Sequence, residues 1–156
     1  MRLDERFSDL WAGLVHVVNN AIDHGIEDAG ARALTSKPAR ASLTLRARLD
    51  DNRGDNGGDK LVIEVVDDGC GIDWGALAAR AQERGLAATT DAERVAILFA
   101  DGVSTKTTAT MVSGRGIGLA AARAACSRLG GAIEVDSAVG FGCTFRFVVP
   151  VAGASA

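Results

Sequence analysis

The stretch LVIEVVDDGCGID, residues 61–73, is a dense run of β-branched residues that breaks into two aspartates and two spaced glycines. Residues 61–66 read as a buried strand, because branched side chains suit a pleated, packed surface. The turn that follows, 67–73, has the pattern D-x-G-x-G. Gly69 and Gly71 let the backbone bend sharply and let a flat ligand approach closely. A carboxylate at the mouth of such a turn, Asp67, is suited to accept a hydrogen bond from an exocyclic amine. The same residues also describe a plain strand-to-helix turn with a solvated aspartate pair, so the turn takes its meaning from its neighbours.

Upstream, residues 42–49 (SLTLRARL) alternate polar and apolar side chains and predict a second strand. The linking segment DDNRGDNGGDK, 50–60, is a polar, glycine-rich hairpin loop. It lacks the ordered ligand series ending in a bidentate carboxylate that a calcium loop requires. Before these strands a helix is expected over 4–27, with Gly30 and Pro38 marking the exit. On it His16, Asn20, Asp23 and Glu27 fall within roughly 60° of one another. Leu14, Val18, Ala21 and Gly25 take the opposite side, with Trp11 and Ile22 beside them. Such a stripe lines a polar cavity or faces solvent as in any amphipathic helix.

Downstream, 74–85 and 91–100 predict short helices, and DGVSTKTTATMVSGRG, 101–116, is a long polar connection. Loops of that length in a compact domain serve as lids or stay unstructured. Residues 117–129 form a helix by propensity, closed by Gly130 at its C-terminus. Segments 132–136 and 144–149 make a final hairpin, ended by Pro150. The sum is an α+β two-layer sandwich: helices on one face of a mixed, mostly antiparallel sheet. Residues 1–156 are expected to form a single domain with its core at about 7–150.

Bulk properties narrow the function classes. The chain has 156 residues, 47% hydrophobic and 24% charged, and a net charge of −3. That composition is globular, and the charge balance argues against a nucleic-acid surface. No apolar stretch reaches the length of a membrane span, and the first ten residues lack a signal-peptide core. Three cysteines without metal spacing point to a reduced, cytoplasmic setting.

A second glycine turn, SGRGIGL at 113–119, opens the last helix. Gly114, Gly116 and Gly118 free backbone N–H groups, and a helix N-terminus behind them favours an anion. Arg115 adds a charge-assisted donor for a phosphate. The spacing fits neither G-x-x-x-x-G-K nor G-x-G-x-x-G after a strand. A third turn, GFGCTF at 140–145, reads first as a hairpin turn.

The order of these features resembles the ATPase domain shared by histidine kinases, gyrase, MutL and the heat-shock chaperones (the GHKL group). Within that group the similarity is to the catalytic domain of CheA-type chemotaxis kinases. HVVNNAIDHGIE looks like that family's N box, VDDGCGID like its G1 box, LFADGVST like its F box and SGRGIGL like its G2 box. The ending through GFGCTF is similar to its G3 turn. The resemblance covers 10–150, and DHGIE with SGRG belongs to the chemotaxis branch.

The resemblance implies an ATP- and magnesium-dependent transfer of a phosphoryl group to a histidine. Asn20 matches the magnesium ligand, and His16 the histidine near the γ-phosphate that acts as base or polarises the acceptor. His24 matches a phosphate-proximal histidine, Asp23 is counted among the nucleotide-binding residues, and Asp67 matches the residue that takes the adenine amine. Gly69, Gly71 and Ile72 match the walls of that pocket. Thr105, Lys106, Gly114, Arg115, Gly116, Ile117, Gly118 and Leu119 match the lid over the triphosphate. Four features depart from the pattern. Asn19 stands where the family commonly has Arg and Cys143 where it has Thr, the helix after SGRGIGL continues LAAARAAC as in ordinary sensor kinases, and the 51–59 loop is long.

Both histidines lie in the N box, so the phosphoacceptor is expected on another domain or chain, with a response regulator beyond it. The chain is then one domain of a longer protein or a stand-alone module, monomeric, with no nucleic-acid or membrane partner. The alternative is a nucleotide-sensing regulatory module or degenerate kinase without transfer, which Asn19 and Cys143 favour. A serine kinase of the anti-sigma type usually lacks DHGIE.

Overall fold

The computed structural model describes residues 5–50, 58–100 and 117–151. Four antiparallel strands, β1 (Leu43–Asp50), β2 (Lys60–Asp67), β3 (Ala132–Ala138) and β4 (Gly142–Pro150), form a sheet in the order β1-β2-β4-β3. The register sets Ile63 opposite Phe147 and Asp67 opposite Cys143. Alternate residues of a strand share a face. Leu61, Ile63 and Val65 therefore turn with Phe145, Phe147 and Val149 toward the helices, and all six are buried. On the other face Arg146 bridges Glu64 at 2.8 Å and Glu134 at 3.1 Å, a charge ladder across the central and edge strands. The apolar alternation of β1 ends in solvent at Leu45 and Leu49, since this edge strand has little covering its helix-side face.

The helical layer rests on α1 (Ser8–Asn20) and α5 (Ile117–Arg128). They run antiparallel, with Asp9 paired to Arg128 at 2.8 Å and Gly13 against Ala122. A Cβ on Gly13 would lie 2.5 Å from the Ala122 Cα, so glycine sets how closely the helices cross. Leu10, Leu14 and Val17 of α1 join Ala122, Ala125 and Cys126 of α5 over the sheet. Each large side chain buried here contributes about 1.5–3 kcal/mol. Phe99 meets Phe145 edge to face at 5.9 Å. Helices α3 (Trp74–Glu83) and α4 (Asp91–Leu98) close a smaller cluster of Leu77, Ala81, Ala88 and Ile97.

Local chemistry starts and stops these helices. Asp73 caps α3 through the Ala76 amide at 2.9 Å. Thr90 and Glu93 form a reciprocal capping box on α4. Gly130, at φ +70°, ends α5 with its N–H on the Ser127 carbonyl at 2.9 Å.

The N-terminal helix differs from expectation. In place of one helix over 4–27 there is a 3₁₀ turn at Glu5–Phe7, then α1, then a π-helical turn at Ala21–Gly25. The Ile26 N–H closes that turn on the Ala21 carbonyl at 2.8 Å, and Ile26 is extended. Asp28 then caps a separate short helix, α2 (Ala29–Leu34), in the stretch expected to be an exit loop. Glu27 thus leaves the polar stripe. Residue 4, most of the 51–59 loop and the 101–116 connection lie outside the described residues.

Candidate functional site

At the end of β2 the Asp67 carboxylate lies between sheet and helices, 6% exposed. Its Oδ1 accepts the Gly69 N–H at 2.9 Å, and the Cys143 amide also hydrogen-bonds to it. Burial pushes its carboxyl above the usual range; the two amides work against that rise. Cys143, buried beside it, has its thiol pushed up to about 12, chiefly by burial.

Glycines from separate segments hold this carboxylate by allowing main chains to touch. The Gly25 carbonyl, at the end of the π turn, accepts the Cys70 N–H at 2.7 Å. It occupies the space that a Cβ on Gly69 would need. Gly71, at φ +71°, is equally close to the Ala138 carbonyl, and the Gly140 N–H reaches the Cys70 carbonyl at 2.8 Å. Gly142 backs onto the Asp67 carbonyl. Ser137 completes the knot, accepting the Ile72 N–H at 2.9 Å and donating to the Gly142 carbonyl at 2.8 Å. At Gly69 and Gly71 the missing side chain therefore admits neighbouring backbone, where the sequence suggested a flat ligand. The third turn is the hairpin expected, and it also braces the first.

An ion network unforeseen in the sequence holds the other side of this turn. Arg32 of α2 is 1% exposed. Its Nη2 donates to Asp68 Oδ2 at 2.8 Å, its Nη1 to Asp68 Oδ1 and Glu27 Oε2, each at 3.2 Å, and its Nε to the Pro38 carbonyl at 2.7 Å. Lys37 Nζ donates to Glu27 Oε1 at 2.7 Å and to the carbonyls of Asp68 at 2.9 Å and Gly69 at 2.7 Å. The Lys37 hydrogen bond holds the Glu27 carboxyl below its usual range; Asp68, despite partial desolvation, is lowered by Arg32 and the Ser42 amide. The aspartate pair is thus one buried acceptor and one ion-paired anchor.

Asn20, half-buried, is the last residue of α1, one turn beyond the exposed His16. The antiparallel pairing of Asp9 with Arg128 and Gly13 with Ala122 carries the Asn20 end of α1 toward the Ile117 end of α5. Asp23 and His24 are exposed on the π turn between Asn20 and Gly25. Gly118 follows Ile117 in α5, and Leu119 is half-buried against the core. Thr105, Lys106, Gly114, Arg115 and Gly116 lie outside the described residues. His16 lines a depression of about 300 Å³ with Asp9, Gly13, Ala121 and Arg128. A larger one, about 450 Å³, lies between α4, α5 and β3. Neither includes Asp67, Gly69 or Gly71. Among the described residues no three His, Cys, Asp or Glu side chains are grouped to hold a metal ion. None of the described helices is long and apolar enough to cross a membrane.

Known proteins resemble this sequence. The family described as "Histidine kinase-, DNA gyrase B-, and HSP90-like ATPase" matches residues 11–153. The chemotaxis protein CheA of Treponema pallidum (strain Nichols) is 40% identical over 147 residues, 92% of this chain and 17% of that protein. The sensor histidine kinase CheAY of Helicobacter pylori is 35% identical over 144 residues, 88% of this chain and 17% of its own length. A gliding motility regulatory protein of Myxococcus xanthus is 34% identical over 148 residues, 91% and 18% respectively. The chain spans less than a fifth of the length of these relatives.

Proposed function

Because the chain belongs to the family of histidine kinase-, DNA gyrase B- and HSP90-like ATPases, we propose that it binds Mg-ATP between Asp67 and Asn20 and passes the γ-phosphoryl group to a histidine on another domain or chain. The observation that carries the reading is the buried Asp67 carboxylate, hemmed by Gly25 and Gly69. A carboxylate offers about four acceptor positions. The amides of Gly69 and Cys143 use part of them, and the remainder suits the exocyclic amine of adenine.

The donor set also suits the other end of the nucleotide. Asn20 offers a neutral amide oxygen, appropriate for magnesium, which takes few protein oxygens beside phosphates and water. When bound, magnesium neutralises charge on the phosphates. The backbone amides of Gly114, Gly116, Ile117, Gly118 and Leu119, at a helix N-terminus, would hold phosphate oxygens. Thr105, Lys106 and Arg115 would supply further donors, with Asp23 and His24 acting beside Asn20. His16, on the same face as Asn20, takes the proton from the attacking imidazole. Ile72 and Gly71 shape the base end. The unit is a single domain, working as a monomer in the cytoplasm and upstream of a response regulator.

Calorimetry with ADP on Asp67→Asn and Asn20→Asp checks the site, the first variant weakening binding about ten- to hundredfold through loss of a charge-assisted hydrogen bond. Unchanged affinity in both variants would remove the assignment. Transfer of labelled phosphate from ATP to a histidine phosphotransfer domain separates a kinase from a nucleotide-binding regulatory module.

A further inference from the structure

The Asp68–Gly69 peptide joins the ion network to the buried carboxylate. Its carbonyl accepts Lys37 Nζ at 2.9 Å and Arg32 Nη1 at 3.3 Å, while its N–H donates to Asp67 Oδ1 at 2.9 Å. In a trans peptide the carbonyl and the N–H point in opposite directions. Two cations fixing the one therefore fix the other, and they polarise the amide toward the carboxylate. Lys37 also grips the next carbonyl, Gly69, at 2.7 Å, so the turn cannot rotate without breaking several charge-assisted bonds.

We propose that Lys37 and Arg32 set the base selectivity of this site, holding Asp67 as an ionised acceptor that admits purine nucleotides with a 6-amino group and rejects those with a 6-oxo group. The inference rests on the reading that Asp67 receives the base. An ionised carboxylate accepts from an amine and repels a carbonyl oxygen. A protonated one donates to the carbonyl and loses the distinction.

The groups facing Asp67 decide which form is present. Desolvation between the layers and the neighbouring Asp68 charge favour the neutral acid. The Gly69 and Cys143 amides and the Lys37 charge favour the anion. Arg32 neutralises Asp68, and Glu27 holds both cations in place. The Cys143 thiol, pushed up to about 12, stays uncharged at neutral pH. Arg32 and Lys37 therefore act on the base through Asp67. They are positioning residues.

The test compares the affinities of ADP and IDP by calorimetry at pH 7 for the wild type, Lys37→Met, Lys37→Gln and Asp67→Asn. The wild type is expected to favour ADP about ten- to hundredfold, the value of a hydrogen bond to a charged group. Lys37→Met brings that preference to within about threefold, and its Gly69 amide proton resonance moves upfield as the bond to Asp67 weakens. Thermal unfolding checks that each variant is folded; if Lys37→Met is not, Lys37→Gln, which keeps a donor without the charge, carries the comparison. An equal loss of affinity for both nucleotides, or an unchanged ratio with an unmoved Gly69 resonance, would overturn the proposal. If Asp67→Asn also leaves the ratio intact, the base-site reading itself fails. If Asp67→Asn erases the ratio and the Lys37 variants keep it, only the role of the cations fails.

Discussion

The Gly25 carbonyl lies against the Gly69 Cα, in the space a side chain would fill, and accepts the Cys70 N–H at 2.7 Å. The contact ties the end of the first helical segment to the turn after β2. Gly69→Ala would force two backbones apart at the point where the Gly69 N–H holds Asp67. The expected cost is about 1–3 kcal/mol of stability. Adenine nucleotide binding should be lost with it. Gly85 also has a positive φ of +71°, but a Cβ added there would meet nothing within 4 Å, so Gly85→Asn serves as a control with little effect on either quantity. Denaturant unfolding and calorimetry on the pair check both halves.

Asp67→Asn should make the protein more stable at neutral pH while it weakens nucleotide binding. Burial raises the Asp67 pKa in the folded state. The stabilising contribution of such a group is present below its ordinary value of 3.8 and is lost as pH rises through the folded value. At pH 7 the folded protein therefore carries an unfavourable buried charge, which the amide removes. A higher thermal midpoint beside weaker ADP binding is the expected pairing. A lower midpoint would mean that the amide contacts outweigh desolvation.

Acid should act in the opposite sense on the ion network. Glu27, Asp68, Glu64 and Glu93 all have lowered carboxyl pKa values, Glu93 to about 2 through the hydroxyl and amide donors of Thr89 and Thr90. Their stabilisation is present above the ordinary values of 3.8 to 4.5 and is lost as pH falls through each lowered folded-state value, about 2 for Glu93. The thermal midpoint should drop across that window. Glu27→Gln should start from a lower midpoint and show a shallower fall.

Gly13→Val probes the α1–α5 crossing. The added Cβ meets the Ala122 Cα at 2.5 Å, a backbone atom that cannot rotate away. Urea unfolding should reveal a loss of about 1–3 kcal/mol. Because this crossing sets where the Asn20 end of α1 meets α5, triphosphate affinity should fall as well.

The thiols offer a label-based check. Cys70 is exposed beside the Asp67 turn, while Cys126 and Cys143 are buried with thiols pushed up to about 11 and about 12. A disulfide reagent should titrate Cys70 rapidly in the native protein and reach the other two only on unfolding. ADP should slow the Cys70 reaction if the base sits against the 67–71 turn. Reaction at an unchanged rate in saturating ADP would place the base elsewhere.

Much of this fold was legible in the sequence, for local reasons. The β-branched run at 61–66, the alternation at 42–49 and Gly130 after an alanine-rich helix each announce an element through its own residues. The break at Ala21–Gly25 was hidden because the apolar spacing continues through it, although Gly25 is a natural stop. Helix α2 is six residues long, too short to display a period, and its signal was Asp28 as a cap. Arg32 shows the limit most clearly. Its partner Asp68 is 36 residues away, and nothing local distinguishes a buried arginine from a solvated one. The glycines were legible as special positions, but only the fold reveals that they admit other backbones.

The pairs Asp50 with Lys60 and Lys60 with Pro150 close the pole of the sheet remote from Asp67 and Cys143. Eight residues of β2 separate the two poles, about 23 Å at 3.3 Å per residue. Whatever length joins β1 to β2 is attached there, at the opposite pole from the Asp67 turn. A fluorophore or a tethering peptide spliced into that junction should therefore leave ADP affinity unchanged, which calorimetry on the insertion variant checks.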